Sequence, residues 1–491
     1  MPQPNEHNMT NSYRLDPADI ELSNRKPEDP EKILFKNVII IDSTGRDPYL
    51  GHVLIEGERI SKVGDLEPSV EGESMLVIDG KGKKTLMSGL CDSHTHLSYP
   101  NAATLDQLTG LQPEEHVLHT AHSAKTYLDC GYTMCFGAAS ARPRLDLSVK
   151  GAIKTGMIPG PRTLANGQEI AKPSGALVPG ITRYADGVDE MRKAVSELVA
   201  LGVDNVKLSM SGDDITPDLP SEETYFTLEE TRAAVEVAHA HGKRVCTHAR
   251  SAASVKMCCE AGVDVIYHAD FVDAEGLDML EAQKDRVFVA PAMNLPLLTC
   301  TGEAAAFGFS AELAEKKGLL HQINACCKGM TEMRKRGIRV LPGGDFGFAW
   351  APHGTYSRDL ANFVNLFGYT PMEAIISATA WGGEIMGHAA ELGKLRPGYY
   401  ADVILVDGNP VEDISILQDT NRIHAIVING HIHKHIDPPA ERKYASMPVV
   451  TRSASGGYKV SRAGTEPGSS EAMNGLMDKM SLGTGAVVEV A

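Results

Sequence analysis

The sequence predicts an α/β protein: a (β/α)8 TIM barrel with a small β-sandwich domain built from both chain ends. Three observations predict it. Short apolar strand candidates alternate with helical stretches through the middle of the chain, which implies a parallel sheet. Eight such candidates can be counted, the number that closes a barrel. Two β-rich pieces of similar texture lie about 300 residues apart at the two ends, close enough in character to share one small sheet domain.

Residues 1–30 are polar and lack a signal-peptide core, so they are expected to be a flexible arm. The next piece, 31–88, contains "ILFKNVIIIDSTGRDPYLGHVLIEGERISKVG". Its β-branched runs are broken by turn residues, which reads as antiparallel strands and the first part of the sandwich. The barrel is placed at 89–390. Its strand candidates are "CDSHTHL", "TMCFGA", "TLANGQ", "NVKLSMS", "VCTHAR", "VIYHAD", "VFVAPAM" and "RVLPGGDFG". Helices between them show in the spacing. "VDEMRKAVSELVALG" has Val188, Met191, Val195, Leu198 and Val199 at helical period. "TLEETRAAVEVAHAHG" opens on a capping box, Thr227 to Glu230, and closes on a glycine. The segment 391–436 returns to strands, "DVILVD" and "IHAIVINGHIH", as the second part of the sandwich. Residues 437–491, rich in Ser, Gly, Ala and Met, read as a tail that is disordered or wraps a neighbour.

Bulk properties exclude several function classes. The 491 residues carry 64 acidic and 47 basic side chains, a formal net charge of -17. That argues against nucleic acid or an anionic membrane as the main partner. No apolar run approaches bilayer-spanning length. Nine cysteines, an odd number without Cys-x-x-Cys spacing, fit a reducing compartment and a cytoplasmic location. The neighbours Cys258/Cys259 and Cys326/Cys327 read as buried small apolar residues.

The chemistry begins at "GLCDSHTHL". Alternate strand residues share a face, so His94 and His96 would project side by side. With 18 histidines in the chain, one His-x-His pair means little by itself, and His239/His241, His431/His433 and His433/His435 are others. His239 and His241 fall near a helix C-terminus, where cations are favoured. His431, His433 and His435 follow a hairpin-like Asn-Gly and are expected to be solvated. What sets His94 and His96 apart is the company at other strand ends. Active sites of such barrels lie at the C-terminal ends of the strands. Lys207 ends the fourth, His248 the fifth, His268 the sixth and Asp345 the eighth. Imidazole and carboxylate together suit zinc and similar divalent ions. A buried charged lysine is costly, so Lys207 needs an acidic partner, as in a buried salt bridge, or conversion to an anionic carbamate.

On "GLCDSHTH", the lysine of "VKLSMSG", "VCTHA", "VIYHAD" and "LPGGDFG", the sequence resembles the amidohydrolase superfamily. "GKLRPGYYADVILVD" matches the split sandwich of that superfamily, and the resemblance spans roughly residues 32–436. It implies a metal-dependent hydrolase. His94, His96 and Asp345 would hold one metal, His248 and His268 a second, and Lys207 would bridge as a carboxylated lysine. The implied cofactor is one or two divalent ions, zinc first, with cobalt, manganese or iron as alternatives. Asp345 would act as general base toward a water whose pKa a metal lowers to about 7, and Lys207 would share the catalytic centre. A homo-oligomer is implied by the same resemblance.

The overall pattern looks like the branch that contains imidazolonepropionase-like amidohydrolases, Xaa-Pro dipeptidases and ochratoxin-hydrolysing amidases. "GGDFGFAWAPHGTYSRDL" is also similar to phenylurea and molinate hydrolases. Phe346, Phe348 and Trp350 make an aromatic cluster beside the proposed site, which suits an aryl substrate. Phe348, Trp350, His353, Arg250 and Tyr132 are the candidate substrate contacts. The function expected is hydrolysis of an amide-like C–N bond (amide, carbamate or urea) of an aromatic small molecule. Alternatives are a Xaa-Pro-type dipeptidase or carboxypeptidase using Arg250 as a carboxylate clamp, a heterocycle deaminase, which Lys207 counts against, and a non-catalytic scaffold on the same fold.

Overall fold

The computed structural model describes residues 16–65, 75–175, 177–213, 215, 219–436, 448–452 and 458–462. Five strands open the chain: β1 (Lys32–Ile41), β2 (Tyr49–Glu56), β3 (Arg59–Gly64), β4 (Met75–Asp79) and β5 (Lys84–Ser88). The central part follows with β6 (Leu90–Thr95), β7 (Tyr132–Gly137), β8 (Arg162–Leu164), β9 (Glu169–Ala171), β10 (Thr182–Tyr184), β11 (Asn205–Ser209), β12 (Arg244–Ala249), β13 (Val265–His268), β14 (Phe288–Ala290) and β15 (Arg339–Val340). Then come β16 (Val403–Asp407), β17 (Ile423–Ile428) and β18 (His431–His435).

The two chain ends share one sheet of eight strands, β1 to β5 with β16 to β18. The seam is β5 against β16, antiparallel, with Val403 opposite Ser88 and Leu405 opposite Leu86. The expected all-antiparallel pattern is corrected here, because β1 pairs in parallel with β4 over its first half and with β5 over its second. The change of partner coincides with a register shift between Phe35 and Val38 and a positive φ at Asn37. That geometry is a bulge, which bends and re-aims the strand.

The central strands form two parallel sheets, β6-β7-β8 and β10-β9-β11-β12-β13-β14-β15. All eight strand candidates of the sequence carry strand, and β9 and β10 are additions in the connection after β8. Backbone bonds run between the two sheets on both sides. The Ser93 amide donates to the Pro342 carbonyl at 3.0 Å, beyond β15, and the Asp204 amide donates to Ala165 at 2.8 Å, beyond β8. Helices occupy the crossovers. Val188–Leu201 buries Met191, Val195 and Leu198 of the expected periodic face together with Ala194, while Val199 is half-buried and Val188 is exposed. Leu228–Ala240 starts on Thr227, whose hydroxyl accepts from the Glu230 amide while Glu230 accepts from the Thr227 amide. This reciprocal cap satisfies two otherwise orphaned donors.

Two expectations about the ends are corrected. Residues 16–30 are not a free arm: Ile20 is buried, Asn429 donates to the Leu22 carbonyl at 3.0 Å, and Arg162 donates to the Ile20 carbonyl. Arg162 is fully buried, with bonds of 2.7 and 3.1 Å to Asp402 and 2.8 Å to Asn429. The arm therefore supplies a carbonyl that the guanidinium needs, and Ile20 and Leu22 join the apolar core. In the tail, a hairpin pairs Pro448–Arg452 with Tyr458–Arg462; the rest of the tail, like residues 1–15 of the arm, lies outside the described residues. Of the β18 histidines, His435 is exposed as expected, but His431 pairs with Asp29 at 2.8 Å and His433 with Asp129 at 2.6 Å. His239 sits in the last turn of its helix and pairs with Asp264 at 2.9 Å. Both cysteine pairs are buried.

Candidate metal centre

The ends of β6, β11, β12 and β15 converge on one cavity. Its wall includes His94, His96, Lys207, His248 and Asp345. His268 lies behind His94 and His248, with ring centroids at 5.4 and 4.3 Å. All six proposed ligands are therefore brought together. The most compact set is His94, His268 and Asp345, whose ligand atoms lie within 4.8 Å of one another. His96 Nε2 approaches Asp345 Oδ1 to 3.1 Å and His94 Nε2 to 3.9 Å. The implied split, with His268 on a second ion with His248, differs from this grouping.

Local sequence explains how the strand ends can meet. A side chain at Gly343 would fall 2.7 Å from Ser93 Oγ and 2.8 Å from His94 Cβ, and one at Gly344 would collide with Asn294 and Phe346. Two glycines thus let the eighth strand end press against the first. Asp345 follows with φ of +58°, and His268 has φ of +73°. Such values are rare for residues with a side chain and mark imposed geometry. Adjacent strand residues point to opposite faces, yet Tyr267 and His268 both reach His94. The turn of the backbone at His268 permits this: Tyr267 stacks on His94 at 3.7 Å.

The donor chemistry fits a divalent cation. His96 Nδ1 donates to the Ala139 carbonyl at 3.0 Å, and His248 Nε2 donates to the Gly212 carbonyl at 2.9 Å. A carbonyl only accepts, so each ring keeps its other nitrogen unprotonated, the orientation typical of metal-ligating histidine. His94 Nδ1 and both nitrogens of His268 are buried without a hydrogen-bond partner among the described residues. Such atoms are expensive unless something binds them. Burial holds His94, His248 and His268 well below the ordinary imidazole range, with Asp345 opposing at His94 and Arg250 reinforcing at the other two. These rings stay neutral and able to donate lone pairs. Burial acts to raise Asp345, but His94, His96 and Lys207 outweigh it and hold its carboxyl well below the usual carboxylate range.

Lys207 is 2% exposed, with Nζ 3.5 Å from Glu169 Oε1 and 4.7 Å from the centre of the Tyr267 ring. Glu169 thus faces Lys207 as an acidic neighbour.

Of the five candidate substrate contacts, Arg250, Phe348 and Trp350 line the cavity. Arg250 is buried and pairs with Asp270. Phe348 and Trp350 stack at 4.8 Å with planes 7° apart, and Tyr99 meets Phe348 edge-on at 5.5 Å. Tyr132 and His353 are corrections. Tyr132 is buried behind the site with its hydroxyl 3.4 Å from Ser357. His353 is buried with Nε2 donating to the Tyr99 carbonyl at 3.0 Å and Nδ1 3.1 Å from the Tyr356 hydroxyl. Both are outside the cavity wall because their polar atoms are consumed by packing partners. Sequence reasoning missed Tyr99, Glu169, Tyr267 and Asn294. Nothing local in the sequence marks Glu169 as a partner of Lys207. Asn294 donates to the Gly344 carbonyl at 2.7 Å and supports the Asp345 turn.

Among the described residues no helix is long and apolar enough to cross a membrane. The profile of the amidohydrolase family matches residues 85–433. An ochratoxinase of Aspergillus niger is 28% identical over 377 residues, covering 71% of this chain and 75% of that protein. An imidazolonepropionase of Deinococcus radiodurans is 23% identical over 403 residues, 77% of this chain and 90% of that protein. A prolidase crystal structure, in complex with N-methylphosphonate-L-proline, superposes with a TM-score of 0.73 at 26% identity, covering 82% of this chain and all of the other, 100%.

Proposed function

The chain belongs to the amidohydrolase family, as a hydrolase acting on C–N bonds, and from that premise we propose that it cleaves an amide-like C–N bond of an aromatic small molecule. Amide, carbamate and urea are the bond types in range. The observation that carries this reading is the aromatic wall of Tyr99, Phe348 and Trp350 beside Asp345. An aromatic face binds an aryl group through area and through ring–ring geometry.

In this reading the two parallel sheets are one closed (β/α)8 barrel, supported by the bonds from Ser93 to Pro342 and from Asp204 to Ala165. The small domain is a sandwich, supported by one buried cluster shared by Phe35, Val53, Val403 and Leu405. His94, His96, His248, His268 and Asp345 hold one or two divalent ions, zinc first, and Lys207 joins them as a carbamate when two are bound. A bound divalent ion supplies Lewis acidity toward the scissile carbonyl and toward water. Asp345, whose carboxyl is held well below the usual carboxylate range, takes the proton of the attacking water and returns it to the leaving nitrogen. His96 Nε2, 3.1 Å from Asp345 Oδ1, would share an ion with that carboxylate. Nine free thiols support a cytoplasmic location; a homo-oligomer is proposed on family resemblance.

One observation favours a second reading, a Xaa-Pro-type dipeptidase or carboxypeptidase: Arg250 on the cavity wall could meet a substrate carboxylate. Its pairing with Asp270 makes that the weaker case. The test is elemental analysis of purified protein, then turnover of a panel of aryl amides, carbamates, ureas and acyl dipeptides. Turnover of the aryl compounds with little of the dipeptides is expected; the reverse ranking overturns the aryl reading.

A further inference from the structure

We infer that the chain binds a small inorganic anion, of the size of chloride, at the N-terminal end of its parallel strands, with Arg244 as the main partner. This is the end opposite the metal centre. Asn205 opens β11, Arg244 opens β12 and Arg339 opens β15, and Asn205 stands opposite Arg244 in the register. Side chains alternate along a strand. Asn205 therefore shares a face with Lys207, and Arg244 shares one with His248, the face that carries both to the metal cavity. Arg339 shares a face with Leu341, which packs in one buried cluster with Cys246, Phe136 and Phe288. His248 lies four residues beyond Arg244, so the two ends are about 13 Å apart at about 3.3 Å per residue.

Charge and hydrogen bonds at this end do not balance within the protein. Arg162, which opens β8, has Asp402, and Arg339 has Glu384 at 2.7 Å. Arg244 is 5% exposed, and its Nε and Nη2 have no hydrogen-bond partner among the described residues. The acid that acts on it, Asp264, is engaged by His239 at 2.9 Å, by the Val245 amide at 2.9 Å and by Arg286 at 3.5 Å. Both side-chain amide atoms of Asn205, Nη2 of Arg339 and Nε2 of His388 are buried and likewise have no partner among the described residues. His388, just past the helix Ala380–Ile385, belongs to the same field: burial pushes its imidazole down, Glu391 opposes, and Arg162 and Arg244 reinforce. The unpartnered atoms are thus mostly N–H donors around an uncompensated guanidinium. A buried charge without a counter-charge is strongly destabilising. Water satisfies the donors but not the charge, whereas an anion does both. The Phe136 ring centre is 5.2 Å from the Arg244 guanidinium and that of Phe288 is 4.0 Å from Arg339, an apolar enclosure that favours a small ion over an organic acid.

The test is thermal unfolding of the full chain at fixed pH and ionic strength, with sodium gluconate exchanged for sodium chloride. An ion held only by the folded state raises stability as its concentration passes its Kd. The midpoint of the unaltered chain is expected to be at least about 2 °C higher in about 0.1 M chloride than in gluconate. Arg244→Met, which keeps the length of the side chain and removes the charge, is expected to unfold at the same temperature in both salts. Crystals of the unaltered chain grown in bromide should show an anomalous peak beside the Arg244 nitrogens. An equal response to chloride in the two chains overturns the inference, as does no response in the unaltered chain or ordered water only at Arg244 in the bromide crystal. If Arg244→Met does not fold, the bromide crystal decides alone.

Discussion

His353 offers a quantitative test, because it was a candidate substrate contact by sequence and is a buried structural group in the fold. The perturbation is His353→Gln, combined with acidification. Burial, reinforced by His119, pushes the imidazole down to about 3 from its ordinary 6.5. The folded state therefore binds fewer protons than the unfolded one. Stability is complete near neutral pH and is lost as pH falls through the unfolded value, down to about 3. The full difference, about 3.5 units at 1.36 kcal/mol each, is about 5 kcal/mol. Between about pH 7.5 and about pH 5 the linkage relation leaves about 2 kcal/mol of that loss. Glutamine retains an N–H for the Tyr99 carbonyl, now met by His353 Nε2 at 3.0 Å, but does not titrate. Its initial cost is about 1 kcal/mol, from the acceptor that the Tyr356 hydroxyl loses. The assay is urea unfolding of both chains at the two pH values. Other groups titrate in the same window, His119 lowered to about 4 and Asp146 raised to about 6, and these cancel in the difference between chains. The variant should start about 1 kcal/mol less stable and lose about 2 kcal/mol less on acidification. Equal losses in the two chains would refute the burial argument. A variant with stability intact but no turnover would reinstate His353 as a substrate contact.

Three further outcomes follow from the geometry. Asp345→Asn and His268→Ala should each cost at least about 10²-fold in turnover with the fold retained by circular dichroism; rates like those of the unaltered chain would remove their assigned roles. Trp350→Leu should raise KM for aryl substrates by about 2- to 12-fold, the worth of about 0.5–1.5 kcal/mol for a lost aromatic partner. Alkyl analogues should show a much smaller change, and an equal change for both would dissolve the aromatic-wall argument. Arg162→Met leaves Asp402 buried and unpaired, so it should destabilise by about 3–5 kcal/mol. It should also expose the segment around Ile20 to limited proteolysis, and an unchanged cleavage pattern would mean that the arm is held by its apolar contacts alone.

The six candidate ligands and the strand–helix alternation were legible from sequence because they are local properties. Period-two and 3.6-residue patterns, a capping box at Thr227 and Glu230, and polar residues at strand ends all sit within a few residues of one another. The aromatic stretch after Asp345 was legible for the same reason. Which atoms of distant segments meet was not. Phe348 and Trp350 lie on the cavity wall while His353, three residues beyond Trp350, is turned into the packing against Tyr99 and Tyr356. The residues between them bend the chain, and no periodicity announces that. Glu169 and Lys207 are brought together by an inserted strand whose register is set by pairing with β11. Ile20 and Arg162 meet because the Ile20 carbonyl satisfies a guanidinium 142 residues away. Sequence alone therefore determined what each element is and which face it presents. The tertiary structure decided which buried polar atoms find partners, because that depends on register and closure between elements up to about 400 residues apart.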